Sequence, residues 1–163
     1  MDLILWRHAE AQDHPDSLAG RQGDAQDLAR VLTARGEKHA TRMAAWLDWQ
    51  LPHSTRILCS PAQRTEQTAL ALGRPFKLCD ELAPGADPLA VLALVQWPQA
   101  RAPVLVVGHQ PTLGQVIARL LGLAEPACPV KKGAVWWLHQ RERGGVPQTV
   151  LLTVQTPGLT SRA

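Results

Sequence analysis

Leu3-Ile4-Leu5-Trp6 running straight into Arg7-His8 is the stretch that decides how this chain folds. A short, unbroken apolar run reads as a buried strand. An Arg-His pair at its carboxyl end stands where open α/β sheets hold their ligands. Two later segments repeat the arrangement. Arg56-Ile57-Leu58-Cys59 leads into Ser60-Pro61-Ala62-Gln63-Arg64, and Val104-Leu105-Val106-Val107 leads into Gly108-His109. Three such strands would deliver His8, Arg64 and His109 to one sheet edge. That makes a cationic, imidazole-lined phosphate pocket with a nucleophile in it.

Outward from these strands the chain alternates strand and helix. Residues 35–50 carry Ala40, Met43, Ala44, Leu47 and, just beyond, Leu51 at helical spacing, with Thr33 as N-cap and Pro52 as stop. Ser60-Pro61 reads as an N-cap followed by proline at the first helical position, opening a helix to about Leu72 that Gly73 and Pro75 end. Phe76-Lys77-Leu78 is a short strand, 87–96 a helix opened by Asp-Pro, and Pro111 or Thr112 starts a helix that ends at Gly122. Residues 134–139 and 149–156 read as strands joined by a turn containing Gly144-Gly145. The fold class is therefore α/β: a mostly parallel central sheet with helices on both faces and a C-terminal antiparallel hairpin. The polar connection 9–33 is long for a compact domain, and such loops are more often functional than passive. Trp46 and Trp49 read as helix-packing residues, while Trp136 and Trp137 point to opposite faces of a strand.

At 163 residues, 45% hydrophobic and 19% charged, the chain is expected to form one domain over 1–163 with a full core. No stretch nears the roughly 18–20 apolar residues of a membrane span, and Arg7-His8 interrupts the only N-terminal apolar run. Neither a membrane partner nor a signal peptide is expected, and a cytoplasmic location follows. Cys59, Cys79 and Cys128 are odd in number and widely spaced, which fits neither a disulfide framework nor a zinc site. Cys59 and Cys79 read as small buried hydrophobes. The net charge of +3 comes without a dense Lys/Arg cluster, so nucleic acid is not an expected partner; an anionic substrate accounts for the balance equally well. Lys131 and Lys132 read as a solvated loop pair.

A lone histidine after a strand is ordinarily structural. His8 differs in having an arginine before it and His109 at the corresponding end of another strand. A neutral imidazole is a competent nucleophile towards phosphorus, and a pKa near 6.5 keeps it largely neutral at pH 7. Arg7 and Arg64 would offer planar, multi-donor contacts to phosphoryl oxygens, where charge builds up in the transition state. His109, between Gly108 and Pro111, would be a further donor.

Arg7-His8-Ala9 resembles the signature of the histidine phosphatase superfamily, whose phosphoglycerate mutase-like members share an Arg-His pair and a second Arg and His. Leu-Thr-x-x-Gly (32–36), Ser-Pro-x-x-Arg-x-x-Gln-Thr (60–68) and Gly-His-x-Pro (108–111) look like its small SixA-type phosphohistidine phosphatase branch. The resemblance covers residues 2–156. It implies His8 as nucleophile, with Arg7, Arg64 and His109 as the phosphate pocket, and Arg30 as a further arginine reaching towards the phosphate. Two departures stand out. Ala9 replaces the usual glycine, which requires a φ below zero there. The 9–33 connection is longer than in the short prototypes.

The resemblance also calls for a proton donor to the leaving group, and Glu81 stands at the matching place. An alkoxide needs that proton in the transition state, whereas an imidazole leaving group, with a conjugate-acid pKa of about 6.5, needs far less. Glu81 therefore reads either as general acid or as a pocket-edge carboxylate, according to substrate. The expected activity is a metal-independent phosphatase, without cofactor, that dephosphorylates a phosphohistidine-containing protein of a phosphorelay or phosphotransfer system. Phosphate or other oxyanions should bind in its pocket. The alternatives are a phosphatase of the same fold acting on a small metabolite phosphate ester, and a non-catalytic phosphate-binding module. A zinc hydrolase is more distant, since no helix carries a His-x-x-x-His or carboxylate-His pair.

Overall fold

The computed structural model of the chain describes residues 1–15 and 22–160, so part of the long polar connection, residues 16–21, lies outside the described residues. Six strands form one sheet in the order β3-β2-β4-β1-β5-β6. The parallel strands are β1 (Asp2–Arg7), β2 (Arg56–Cys59), β3 (Lys77–Leu78) and β4 (Val104–Gly108). β5 (Val135–Arg143) and β6 (Val146–Gln155) extend the sheet as the expected antiparallel hairpin. No helix among the described residues is long and apolar enough to cross a membrane.

The apolar runs are unbroken because both sheet faces are covered. On one face Leu3, Leu5, Leu58, Val104 and Val106 pack with Val91 and Val95, from α4 (Pro88–Leu94) and its C-cap, and with Leu113, Val116 and Ile117 of α5 (Thr112–Leu121). On the other, Ile4, Trp6, Ile57, Leu105 and Val107 pack with Met43, Ala44 and Leu47 of α2 (Ala34–Gln50). Leu3 through Trp6 are wholly buried, and burying one such side chain contributes roughly 1.5–3 kcal/mol. β1 is thus firmly held, and His8 continues directly from it.

The helices after β1 and β4, two adjacent parallel strands, go to opposite faces of the sheet. A crevice opens at the carboxyl ends of such a pair, the usual ligand position in open α/β sheets. The register sets Arg7 opposite Gly108 and Cys59 opposite Val107. His8, His109 and Ser60 therefore leave three neighbouring strands side by side.

Several local readings change. α3 (Gln63–Leu70) starts after Ala62, with no side-chain capping bond, rather than at Ser60-Pro61; the Ser60 hydroxyl accepts from the Ala62 N–H ahead of the helix and also meets His109. Trp49 is 87% exposed: the buried stripe of α2 runs through Ala40, Met43, Ala44 and Leu47, and Trp49 falls on the opposite face. Trp46 does pack, edge-on to Trp137. The connection after β1 contains a one-turn helix, α1 (Ala25–Leu28), which is too short to show an apolar period. The hairpin is longer than its apolar segments because Gly144 and Gly145, both at positive φ, form a two-residue turn that lets polar residues keep pairing.

Thr33 caps α2 as expected, its hydroxyl oxygen accepting from the Gly36 N–H at 2.9 Å. A Cβ on Gly36 would lie 2.0 Å from the Glu10 carbonyl oxygen, so only glycine allows this approach. The Thr33 N–H binds that same carbonyl at 3.0 Å. The Leu-Thr-x-x-Gly segment is thus the clasp that holds the chain just after His8.

Candidate active site

His8 is 6% exposed and pinned through its backbone: its N–H donates to Gly108 and its carbonyl accepts from Gly133. Ala9, wholly buried, is not among the residues with positive φ, so the missing glycine brings no strain. The His8 Nδ1 lies 2.7 Å from the Ala9 carbonyl. A carbonyl only accepts, so Nδ1 bears the proton and Nε2 keeps its lone pair. Burial is the chief cause that lowers the His8 pKa to about 3; the Ala9 bond opposes it, and the charges of Arg64, Arg7 and Arg30 add to it. At pH 7 the ring is neutral with Nε2 available.

His109 faces His8 across 5.3 Å between ring centroids. Its Nε2 is 2.7 Å from the Ser60 hydroxyl, and its Nδ1 is buried without a hydrogen-bond partner. Burial, then His8 and Arg64, lower its pKa to about 2. Arg7 donates through Nη1 to the Val130 carbonyl at 2.7 Å, and its Nε is buried and unpartnered. Arg64, 4% exposed, donates through Nη1 to the Asp27 carbonyl at 2.7 Å and through Nη2 to the Asp27 carboxylate at 3.3 Å. Its Nε is likewise unpartnered. Among the described residues these three nitrogens are the only buried side-chain N or O atoms without a partner, and all three belong to residues chosen from sequence.

Arg30 reaches the site through Asp27, to whose carboxylate it donates at 3.0 Å, while its Nε holds the Gln12 carbonyl at 2.7 Å. Glu81 occupies a short 3-10 turn (Asp80–Leu82) after β3 and is exposed. It has no hydrogen bond or ion pair among the described residues. It follows the carboxyl end of β3, and the chain then runs on to Pro84, whose carbonyl oxygen stands beside Gly23. Lys131 and Lys132 are exposed. Cys59 is buried, which pushes its thiol up to about 12, as a small apolar residue should behave.

Asp27 is the residue the sequence reading missed. It is 4% exposed and joins two arginines of the pocket. Burial alone would raise its pKa, but the Gly23 N–H, Arg30 and Arg64 outweigh that and hold it below the usual carboxylate range. The Asp-x-x-Arg spacing of Asp27 and Arg30 was the available signal; nothing local points to Arg64, 37 positions on. The Ser-Pro-x-x-Arg-x-x-Gln-Thr segment also gains reasons. Gln67 accepts from the Leu32 N–H at 2.8 Å, and Thr68 accepts from the Ala9 N–H at 3.2 Å. α3 thereby ties Arg64 to both ends of the 9–33 connection.

No group of three or more His, Cys, Asp or Glu side chains is gathered as metal ligands among the described residues. The donors that converge here are cationic or neutral N–H groups, which suit an oxyanion. Comparison with known proteins agrees. Residues 3–85 match the family model for the histidine phosphatase superfamily (branch 1). The phosphohistidine phosphatase SixA of Escherichia coli (strain K12) is 35% identical over 128 residues, 74% of this chain and 74% of that protein. A SixA homolog of Haemophilus influenzae is 28% identical over 141 residues, covering 77% and 80%. The structure of the protein histidine phosphatase SixA complexed with tungstate superposes with a TM-score of 0.76 at 27% identity, over 97% of this chain and 98% of that one.

Proposed function

Because this chain belongs to the histidine phosphatase superfamily, we propose that it is a metal-independent phosphohistidine phosphatase acting through a covalent phosphohistidine on His8. The observation that carries this reading is the set of three buried, unpartnered nitrogens, Arg7 Nε, Arg64 Nε and His109 Nδ1, around a neutral histidine whose Nε2 holds a lone pair. Buried donors without partners are unfavourable, and a phosphoryl group satisfies all three. Nε2 attacks phosphorus as the substrate's P–N bond breaks, and the substrate imidazole, protonated on its other nitrogen, leaves neutral. Water then attacks phospho-His8, releasing phosphate and restoring the lone pair. The oxyanion charge of both transition states is met by Arg7, Arg64 and His109, with Arg30 in support.

The small relatives are named for phosphohistidine, and the exposed position of Glu81 supports the same choice. A good leaving group needs little acid, so a solvent-exposed carboxylate suffices. The substrate is then a phosphohistidine protein of a phosphorelay or phosphotransfer system. Turnover should be compared between a phosphohistidine protein and a panel of sugar and nucleotide phosphates, with chelator present. Glu81→Gln should slow phosphohistidine hydrolysis only slightly, while any alkyl ester activity falls about 10²–10⁴-fold. A wild-type enzyme far faster on an ester would overturn the substrate reading, and loss of activity with chelator, restored by zinc, would overturn the metal-independent one.

A further inference from the structure

We propose that Ser60 is a positioning residue that fixes the tautomer of His109, so that this imidazole donates Nδ1–H to a phosphoryl oxygen. The inference rests on the phosphate-pocket reading above. Ser60 is wholly buried, and its hydroxyl oxygen has two contacts, the Ala62 N–H at 3.3 Å and His109 Nε2 at 2.7 Å. An N–H can only donate, so Ala62 takes one of the hydroxyl's acceptor sites. Of these two neighbours only one can accept the hydroxyl proton, through the lone pair of Nε2. The reverse arrangement, Nε2–H donating to Ser60, would leave that proton unplaced in a site with no solvent exposure, an unfavourable state. With Nε2 accepting and the ring neutral, the one remaining proton of His109 is on Nδ1. That is the nitrogen found buried and without partner.

A neutral histidine donates through one nitrogen only. Were the proton on Nε2, Nδ1 would turn a lone pair towards an anionic oxygen, and a donor of the pocket would become a repulsive acceptor. His8 and His109 are thus held in the same tautomer and used from opposite sides. The Ala9 carbonyl makes His8 a nucleophile at Nε2, and the Ser60 hydroxyl makes His109 a donor at Nδ1. A carbonyl enforces its tautomer because it cannot donate. A hydroxyl can do either, and the Ala62 N–H is what turns it.

Long-range proton–nitrogen correlation spectra of the ¹⁵N-labelled protein at pH 7 read the two ring nitrogens of His109 directly. The wild type should show Nδ1 protonated and Nε2 unprotonated, both free and with tungstate. In Ser60→Ala the pattern should change to Nε2–H, with turnover falling about 10²-fold, the scale of one lost oxyanion donor. Tungstate affinity should weaken about tenfold. Ser60→Thr keeps the hydroxyl and should restore the wild-type pattern and most of the turnover. His109 found as Nε2–H or as the doubly protonated imidazolium in the wild type overturns the proposal, whatever the variants do. So does a Ser60→Ala protein that keeps Nδ1–H or full tungstate affinity. If the wild type binds no tungstate, the phosphate-pocket reading fails first and this inference with it.

Discussion

The two halves of the pocket are held by different forces. Arg7, His8, Ser60 and His109 extend from three adjacent parallel strands, and backbone bonds to Ala134, Gly108, Val107 and Gly133 lock the segments that carry them. Asp27 and Arg30 belong to the connection after β1, where a buried carboxylate between two guanidinium groups replaces the ladder. The first half takes its positions from a sheet that would exist without the site. The second exists only because Arg64 needs a partner: an arginine 4% exposed and unpaired would be untenable. Chemistry is therefore invested in the strand ends, and orientation in the loop.

Substitutions in the two halves should differ in kind. His8→Ala should lose activity by roughly 10⁴-fold or more, with an unaltered circular dichroism spectrum and no acid-labile phosphate trapped on the protein. Retention of substantial turnover would mean that His8 is not the nucleophile. Asp27→Ala should act on stability first, because breaking a buried pair costs about 3–5 kcal/mol, and on substrate affinity second, as Arg64 loses its orientation. Urea unfolding and the KM-against-kcat split measure both. A variant as stable as the wild type would show that Arg64 finds solvent or another partner, and that the two halves are not held by different forces.

Gly36→Ala tests the clasp between the halves. Its Cβ meets the Glu10 carbonyl at 2.0 Å, so α2 and the chain after His8 must separate, an overpacking of about 1–3 kcal/mol. The effect that is smallest at pH 7, and grows only on acidification, is a pH dependence in the strand-end half. His8 and His109 titrate near 3 and 2 in the folded chain against 6.5 ordinarily, so the unfolded chain takes up their protons first as pH falls. Their contribution to stability is fully present above about pH 6.5 and is lost as pH drops towards 3. Each approaches a slope of about 1.4 kcal/mol per pH unit in that window. His8→Gln should therefore gain on the wild type by about that much per unit between pH 6 and 4. Parallel stability curves would place the His8 pKa close to its ordinary value.

The strand-end half was legible in the chain because its signal is local. Four apolar residues and then Arg-His, or four and then Gly-His, state both the strand and the place where it stops. Glycine pairs and proline stops marked the hairpin turn and helix ends for similar reasons. What escaped was whatever depended on a distant partner. Ser60 looked like a helix cap because serine before proline usually is one, yet its hydroxyl goes to a histidine 49 positions away. Trp49 looked like a packing residue by its type, and only its angle around α2 turns it outward.

The periodicity of the sequence and the residues that interrupt it were enough to establish a parallel sheet with His8, Arg64 and His109 at one edge. That follows because a strand buried on both faces must be apolar until it leaves the core, and the first polar side chains beyond it necessarily mark the rim. Tertiary structure alone decided that Asp27 joins Arg30 to Arg64, that Ser60 meets His109, and that Glu81 is left exposed. Those contacts link segments that neither composition nor spacing relates, and a buried charge or hydroxyl settles its partner only once the chain has closed around it.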